Sequence, residues 1–267
     1  MQQGEYINDR IFGRMLRRIC QSNGIAIDSF SDDWIHELTK DAVTGKIIGY
    51  KFGLNDSAAA SIAQDKVATY QLLTRHGIKA VPHFLARTKV ASAGEWKQQN
   101  WDKGIVAKPL VGTSGHGVRL FGALDEAETY MAESGIEAWA VSPYMKLISE
   151  VRFIVLDGEV LLQYQKIPVL RGSLLMFNLG LGATPQDVTV DASTLSLVKD
   201  AIKSLGVRVA AIDIVTTAQD ETMVLEINEG IMMEHYMRNS EEYMQRGYDV
   251  YGQIITKMMQ PSTSKIS

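Results

Sequence analysis

The chain has 267 residues, of which 46% are hydrophobic and 22% charged, with a formal net charge of −4. Such a composition gives a globular protein with a sizeable core, and the negative balance argues against nucleic-acid and anionic-membrane partners. Single Cys20 excludes an intramolecular disulfide framework and fits a reducing, cytoplasmic setting, and no apolar run approaches the ~18 residues of a membrane span. The basic stretch Arg10–Arg18 could mimic a transit segment, but Glu5 and Asp9 beside it weaken that reading.

In chain order, residues 1–64 hold a predicted helix over Ile11–Gln21, with Cys20 packed in its apolar pattern. Short apolar runs follow near Gly24–Ile27 and Ile47–Tyr50, then a helix or connector over Ala58–Ala63. Asp65 is expected to cap a helix over Lys66–His76, closed by Gly77 in a left-handed turn. Pro82 precedes a short strand, Phe84–Arg87. A polar helix is expected near Ala93–Asn100, then a strand over Ile105–Pro109. The run Gly112-Thr113-Ser114-Gly115-His116-Gly117 leads into another strand, Val118–Phe121. A Rossmann or Walker loop opens into a helix, and this run does not; it also lacks Gly-Lys-Ser/Thr. Its glycines would let backbone N–H groups lie over a polyphosphate, the alternative being a plain hairpin connection.

A helix is predicted over Asp125–Glu133 and a strand over Trp139–Ser142, broken by Pro143-Tyr144. Glu150–Leu156 and Val160–Gln165 should pair across Asp157-Gly158, a strong hairpin signal. Arg152 alternates with Val151 and Phe153, so it points off the core face, where a salt bridge to Glu159 is the simplest role. Ser193–Leu205 reads as an amphipathic helix and Ser240–Met259 as a terminal one. Between them, Val209–Val215 and Thr222–Asn228 read as a hairpin. If Thr217 pairs with Thr222, Asp213 lies opposite Glu226, and Ile212, Ile214, Leu225 and Ile227 share the buried face. Two carboxylates about 5 Å apart at Cβ destabilise a sheet unless something offsets them. With Asn228 they form a hard oxygen set suited to Mg²⁺ or Mn²⁺, phosphates completing the shell; a solvated polar strand face is the alternative.

In family order, Asp65-Lys66, Val106-Ala107-Lys108-Pro109, Gly112–Gly117, Glu150-Val151-Arg152, Asp213 and Leu225-Glu226-Ile227-Asn228 resemble the ATP-grasp superfamily of carboxylate–amine ligases, across residues 60–230. The likeness is nearest to the branch that adds glutamate to a ribosomal protein or joins small amino acids. Tyr70 stands where D-alanine–D-alanine ligases usually carry a second lysine. The resemblance implies an α+β (α/β) ATP-grasp fold, two α+β lobes gripping ATP. Its parts would be a shortened N-terminal lobe, 1–64, a small lid subdomain, 65–143, and a C-terminal subdomain with the metal site, 144–267. It implies ATP contacts from Lys66, Lys108, the lid residues Gly112, Thr113, Ser114, Gly115 and Gly117, and the hinge at Ser142 and Tyr144. Glu150 would hold the ribose, and Lys166 and Leu225 would also line the nucleotide. Asp213, Glu226 and Asn228 would bind two Mg²⁺ (or Mn²⁺), with Arg152 and Asn178 facing the transferring phosphate.

The implied activity joins a small-molecule carboxylate, an amino acid or small peptide-like compound, to an amine through an acyl phosphate. No nucleic acid or membrane is involved, and a homo-oligomer stays open. Two other readings remain: a ligase acting on a protein C-terminus, and a nucleotide-binding regulator without ligase activity. The arginine that usually flanks the position of Asn178 is missing, with Arg171 as a substitute. After Asn228, Glu229-Gly230-Ile231-Met232-Met233-Glu234-His235-Tyr236 replaces the family's small-residue and proline turn. Glu229, Glu234, His235 and Tyr236 are expected to shape the acceptor pocket, and Met232, Met233 and Met237 to pack.

Overall fold

A computed structural model describes residues 9–88, 94–112, 117–172 and 174–261. Helix α1 (Ile11–Ser22) turns Ile11, Phe12, Leu16, Ile19 and Cys20 inward along one stripe. Next comes an antiparallel meander, β1 (Ala26–Phe30), β2 (Ile35–Lys40), β3 (Val43–Ile48) and β4 (Lys51–Phe52). Only fragments of it were expected, because β1 is mostly exposed and offers no apolar alternation. Helix α2 (Ser57–Gln64) starts on the Asp56 carboxylate, and α3 (Lys66–Arg75) on Asp65, which accepts from the Val67 and Ala68 N–H groups at 2.9 Å. Gly77 closes α3 at φ +72°.

The sheet in the segment expected as the lid, the lid sheet, is built from β5 (Phe84–Arg87), β6 (Ile105–Pro109), β7 (Arg119–Phe121) and β8 (Ala138–Pro143), in the order β5-β8-β6-β7, with α4 (Leu124–Glu133) between β7 and β8 in the chain. Its own core gathers Trp96, Ile105, Met131, Trp139 and Val141. The polar helix expected near Ala93–Asn100 is a single 3₁₀ turn, Glu95–Gln98, held by buried Trp96.

The larger sheet follows: β9 (Leu147–Leu156), β10 (Glu159–Ile167), a two-stranded ribbon of β11 (Val169–Arg171) and β12 (Leu174–Met176), β13 (Thr184–Gln186), α5 (Ala192–Leu205), β14 (Val209–Thr217) and β15 (Thr222–Asn228). The chain ends in α6 (Glu234–Met237) and α7 (Glu241–Met258). Strand order is β13-β10-β9-β14-β15. Asp157 and Gly158 both take positive φ, +49° and +84°, the twist that a two-residue hairpin turn requires.

Alternation gives this sheet two faces. Val151, Phe153, Ala210, Ile212, Ile214, Val224 and Ile227 pack on α2, α3 and α5. On the other face, Ile154, Leu162, Tyr164, Val209 and Ala211 pack beneath α1, the meander, residues 231–237 and α7. The boundary expected between residues 64 and 65 therefore falls between two helices packed on each other and on one sheet. The N-terminal segment likewise shares its core with the C-terminal one, because the apolar stripe of α1 finds its partners in α7 and the meander. Among the described residues no helix is long and apolar enough to cross a membrane.

Candidate active site

Directly opposed residues of antiparallel strands share a face. In the larger sheet Tyr164 lies opposite Arg152, Arg152 opposite Asp213, and Asp213 opposite Glu226. The carboxylate pair expected from the sequence is thus the end of a polar row across four strands. The turn register differs from expectation: Thr222 pairs with Thr216, and a bulge at Leu225 brings Asp213 back opposite Glu226. Consequently Val224, not Leu225, joins Ile212, Ile214 and Ile227 on the helix face. Leu225 packs instead with Met145, Leu147, Met223 and Val215, beside the crossing from β8 to β9.

Ion pairs bind the row as far as Asp213, and it ends on a second carboxylate, Glu226. Arg152 donates from Nε to Asp213 Oδ1 at 2.8 Å and from Nη2 to Oδ2 at 2.6 Å. Lys166 Nζ reaches Asp213 Oδ2 at 3.0 Å and Glu150 Oε1 at 2.5 Å. The expected Arg152–Glu159 bridge does not form; Glu159 sits at the start of β10 with Lys199. Burial pushes the Asp213 carboxyl up, but Arg152 and Lys166 outweigh it and hold the group well below the usual carboxylate range. For Glu150 burial wins over Lys166, and its carboxyl is raised. Burial and Asp213 push Glu226 up, yet Lys66, Lys108 and Asn228 outweigh them, so it is held low.

Asn228 Nδ2 donates to Glu226 Oε1 at 3.0 Å, leaving its carbonyl oxygen as the atom it can offer a cation. Among the described residues no cluster of three or more His, Cys, Asp or Glu side chains has metal-binding spacing. Two carboxylates and one amide oxygen suit a hard cation whose shell is completed by phosphate and water oxygens. The donor set fits Mg²⁺ on that condition.

Lys108 faces this row from β6. Burial lowers its ammonium, with Lys66 adding to the effect, while Glu226, Glu150 and Asp213 work against it. Lys66, at the start of α3, donates to the Gly112 carbonyl at 3.3 Å, so it is tied to the lid strand's end rather than free on the surface. Gly117 takes φ +74°, and a Cβ there would meet Pro109 Cγ at 2.9 Å, so glycine is required. Gly112 would meet only ordinary contacts. Thr113, Ser114, Gly115 and His116 lie outside the described residues. The hinge differs from expectation. Ser142 is buried within the lid sheet opposite Val106, and the Tyr144 N–H donates to the Gly104 carbonyl at 2.9 Å. The Tyr144 N–H is thus taken up at the end of the β6–β8 ladder and is not free for adenine.

Beyond Asn228 the structure divides the expected acceptor residues. Glu229 pairs with Lys51 Nζ at 2.5 Å and takes a hydrogen bond from Gln64. Glu234 is fully buried, and its two carboxylate oxygens accept the Ile11 and Phe12 N–H groups, each at 2.9 Å. Tyr50 adds a third hydrogen bond at 3.1 Å. Glu234 therefore caps α1, whose own N-cap residue Arg10 makes no side-chain cap; the acceptor role expected of it is corrected. Tyr236 is also buried, stacked between Tyr164 (4.6 Å) and Tyr243 (4.7 Å), and belongs to the core. Met233 and Met237 pack there as expected. His235 alone stays half-buried beside the Asn178 loop. Asn178 Oδ1 accepts the Gly180 N–H at 2.8 Å, so its NH₂ is what it can offer a phosphate. Arg171 lies in β11, and its side chain is outside the described residues.

Sequence reasoning missed Tyr164 and His83. Tyr164 was available from the Leu162-Tyr164-Lys166 alternation in β10. His83 is buried, its Nδ1 2.9 Å from the Val81 carbonyl and its pKa lowered by burial and then Lys108, and no local pattern marks it.

The model of the RimK-like ATP-grasp domain matches residues 63–257. A glutamate–LysW ligase from Sulfolobus acidocaldarius is 26% identical over 184 residues, covering 66% of this chain and 64% of that protein. A probable alpha-L-glutamate ligase from Aeromonas salmonicida is 29% identical over 212 residues, covering 76% and 66%. The chain thus spans about two thirds of the length of these relatives. In fold, D-alanine–D-alanine ligase from Bacillus anthracis matches at TM-score 0.59 and 17% identity, covering 77% of this chain and 68% of that one. A bifunctional glutathione synthetase from Pasteurella multocida matches at TM-score 0.59 and 17% identity over 94% of this chain and 44% of the other. A 94% share cannot be reached without most of residues 1–64, so that fold likeness extends over the meander.

Proposed function

The chain belongs to the RimK-like ATP-grasp domain family, and on that premise we propose that it is an ATP-dependent carboxylate–amine ligase. The observation that carries the reading is the row Arg152–Asp213–Glu226 with Lys166, near enough to Lys108 for their charges to act on one another. Phosphoryl transfer asks a protein for positioning and charge neutralisation rather than a nucleophile, and this row supplies both.

A substrate carboxylate attacks the γ-phosphorus of ATP, giving an acyl phosphate and ADP; an amine then displaces phosphate to form the amide. Lys66, Lys108 and the lid residues 112–117 hold the polyphosphate. Asp213, Glu226 and Asn228 hold Mg²⁺, two ions in this reading, which when bound neutralise charge on the phosphates. Arg152 and Lys166 are already locked toward the same edge by Asp213 and Glu150, so their charge is in place before the substrate arrives. Leu225, Met145 and Leu147 give an apolar surface beside the crossing, suited to the adenine ring. The substrates are an amino acid or small peptide-like carboxylate and a small amine, in a reducing, cytoplasmic setting supported by the lone buried Cys20.

The test is ADP release with ATP and Mg²⁺ across the amino acids and short glutamate-ending peptides, singly and in pairs, with hydroxylamine added to trap an acyl phosphate. Release with a cognate carboxylate and a trapped hydroxamate is expected. ATP binding without turnover across the whole panel contradicts the ligase and favours a regulator.

A further inference from the structure

Gly180 is a glycine without a backbone reason. Its φ lies outside the left-handed region, so any residue could adopt its conformation. What excludes a side chain is space: a Cβ there would meet His235 Nε2 at 2.9 Å and Asn178 Oδ1 at 3.1 Å. An imidazole from α6 and the side chain of Asn178 thus converge on one point above a loop that the ligase reading puts at the reacting phosphate.

The backbone that carries the ring is held from both sides along the chain. Glu234, one residue earlier, is anchored in the N-terminus of α1, and Tyr236, one residue later, is clamped between two tyrosines. Asn239 Nδ2 donates to the His235 carbonyl at 2.5 Å. A short helix pinned this way carries His235 on a fixed backbone beside the loop. Residues 178–182 are Asn, Leu, Gly, Leu and Gly, so the loop brings no charge to the ring. On its own element, Glu234 is turned to α1 and Arg238, 3.6 Å from Glu234, follows one turn later.

An amine arrives at neutral pH protonated and cannot attack until it loses a proton. Of the carboxylates of the row, Asp213 is committed to Arg152 and Lys166 and Glu150 to Lys166, and the ligase reading gives Glu226 to the metal. Among the described residues the other imidazoles lie elsewhere. His36 is in the core of the meander, His83 is buried within reach of the Lys108 charge, and His76 caps the end of α3.

Resting on the ligase reading, we propose that His235 is a further catalytic residue, the base that takes a proton from the acceptor amine. The ammonium gives one proton to Nε2, and the freed lone pair forms the C–N bond. The bond from the carbonyl carbon to the phosphate oxygen breaks, and phosphate leaves with that electron pair and the second amine proton. The imidazolium then returns its proton to solvent.

The experiment compares two nucleophiles on the same acyl phosphate, formed from the carboxylate that gives most hydroxamate with wild-type enzyme. Hydroxylamine is largely unprotonated at neutral pH and needs no base; the amino group of glycine or L-glutamate, whichever the wild-type enzyme uses, does. His235→Gln should keep hydroxamate formation within about twofold and lose amide formation by about a hundredfold or more. Gly180→Ala, which puts a methyl group 2.9 Å from Nε2 and so displaces the ring, should show the same selective loss and serves if the first variant folds poorly. Equal loss with both nucleophiles in both variants, or no loss with either, overturns the assignment while leaving the ligase intact. A wild-type enzyme that forms no hydroxamate with any carboxylate refutes the ligase reading and this one with it.

Discussion

The cleft-side face of the larger sheet has two halves that differ in everything but their strands. One carries Glu150, Arg152, Lys166, Asp213 and Glu226, the first four joined in ion pairs; the other, a single pleat further along, carries Ile154, Leu162, Val209 and Ala211 under α1 and α7. Tyr164 stands at the border, opposite Arg152 in register and stacked on Tyr236 in the core. The comparison teaches that the polar row and the apolar half are one construction. Burial of the second half fixes the strand register that aligns the charges of the first, since a one-residue slip would send them to the helix face. It also explains residues 229–237. They follow β15 in sequence, yet most of them cover the apolar half rather than the polar row.

If the halves divide labour in this way, variants in each should fail differently. Glu226→Gln should have the largest effect, lowering ATP-dependent ADP release by at least about a thousandfold, with a thermal midpoint close to wild type, because its one hydrogen bond among the described residues is to the Asn228 side chain, which glutamine can also make. Tyr236→Ala should lose about 3–5 kcal/mol in urea unfolding through a cavity between two rings. Glu234→Ala strips α1 of its cap and leaves two buried N–H groups without an acceptor, for a loss of about 2 kcal/mol in the same measurement; an unchanged midpoint would mean that α1 is held by other contacts.

The smallest effect lies at the far edge of the sheet, in the turn between β9 and β10. Arg208 hydrogen-bonds the Asp157 carboxylate at 2.7 and 2.9 Å and holds it below its ordinary value. A carboxyl depressed in the folded state contributes stability above the ordinary carboxylate range and loses it as pH falls through and below that range. Asp157→Asn should therefore destabilise by about 0.5 kcal/mol at pH 7, a partly exposed pair being worth little, and by less in acid. Equal loss at both pH values would remove the ion pair from the account.

Much of the chain from Asp65 onward could be read in the sequence because local chemistry marks it. Asp65 caps, Gly77 stops, Asp157-Gly158 turns, and Ile105–Pro109 is an apolar run ended by proline. The meander was not readable. Its first turn passes through Ser31, Asp32 and Asp33, all at positive φ (52°, 53° and 59°) with no glycine to announce them. The Asp213–Glu226 pairing was foreseen although the turn was placed one residue off, because the bulge at Leu225 cancels the error where the charges lie. Arg152 and Glu234 were beyond local reasoning. An arginine on a strand does not reveal which of its cross-strand neighbours it will meet. A glutamate near the site does not reveal that a helix N-terminus 222 residues away in sequence needs an acceptor.

The account stands on the polar row being the metal and phosphate end of an ATP site, and calorimetric titration of ATP with and without Mg²⁺ tests that most directly. Wild-type protein should bind ATP more tightly when Mg²⁺ is present, and folded Glu226→Gln should lose most of that gain while still binding ATP through Lys66 and Lys108. A variant whose Mg²⁺ dependence equals that of wild type would contradict the account.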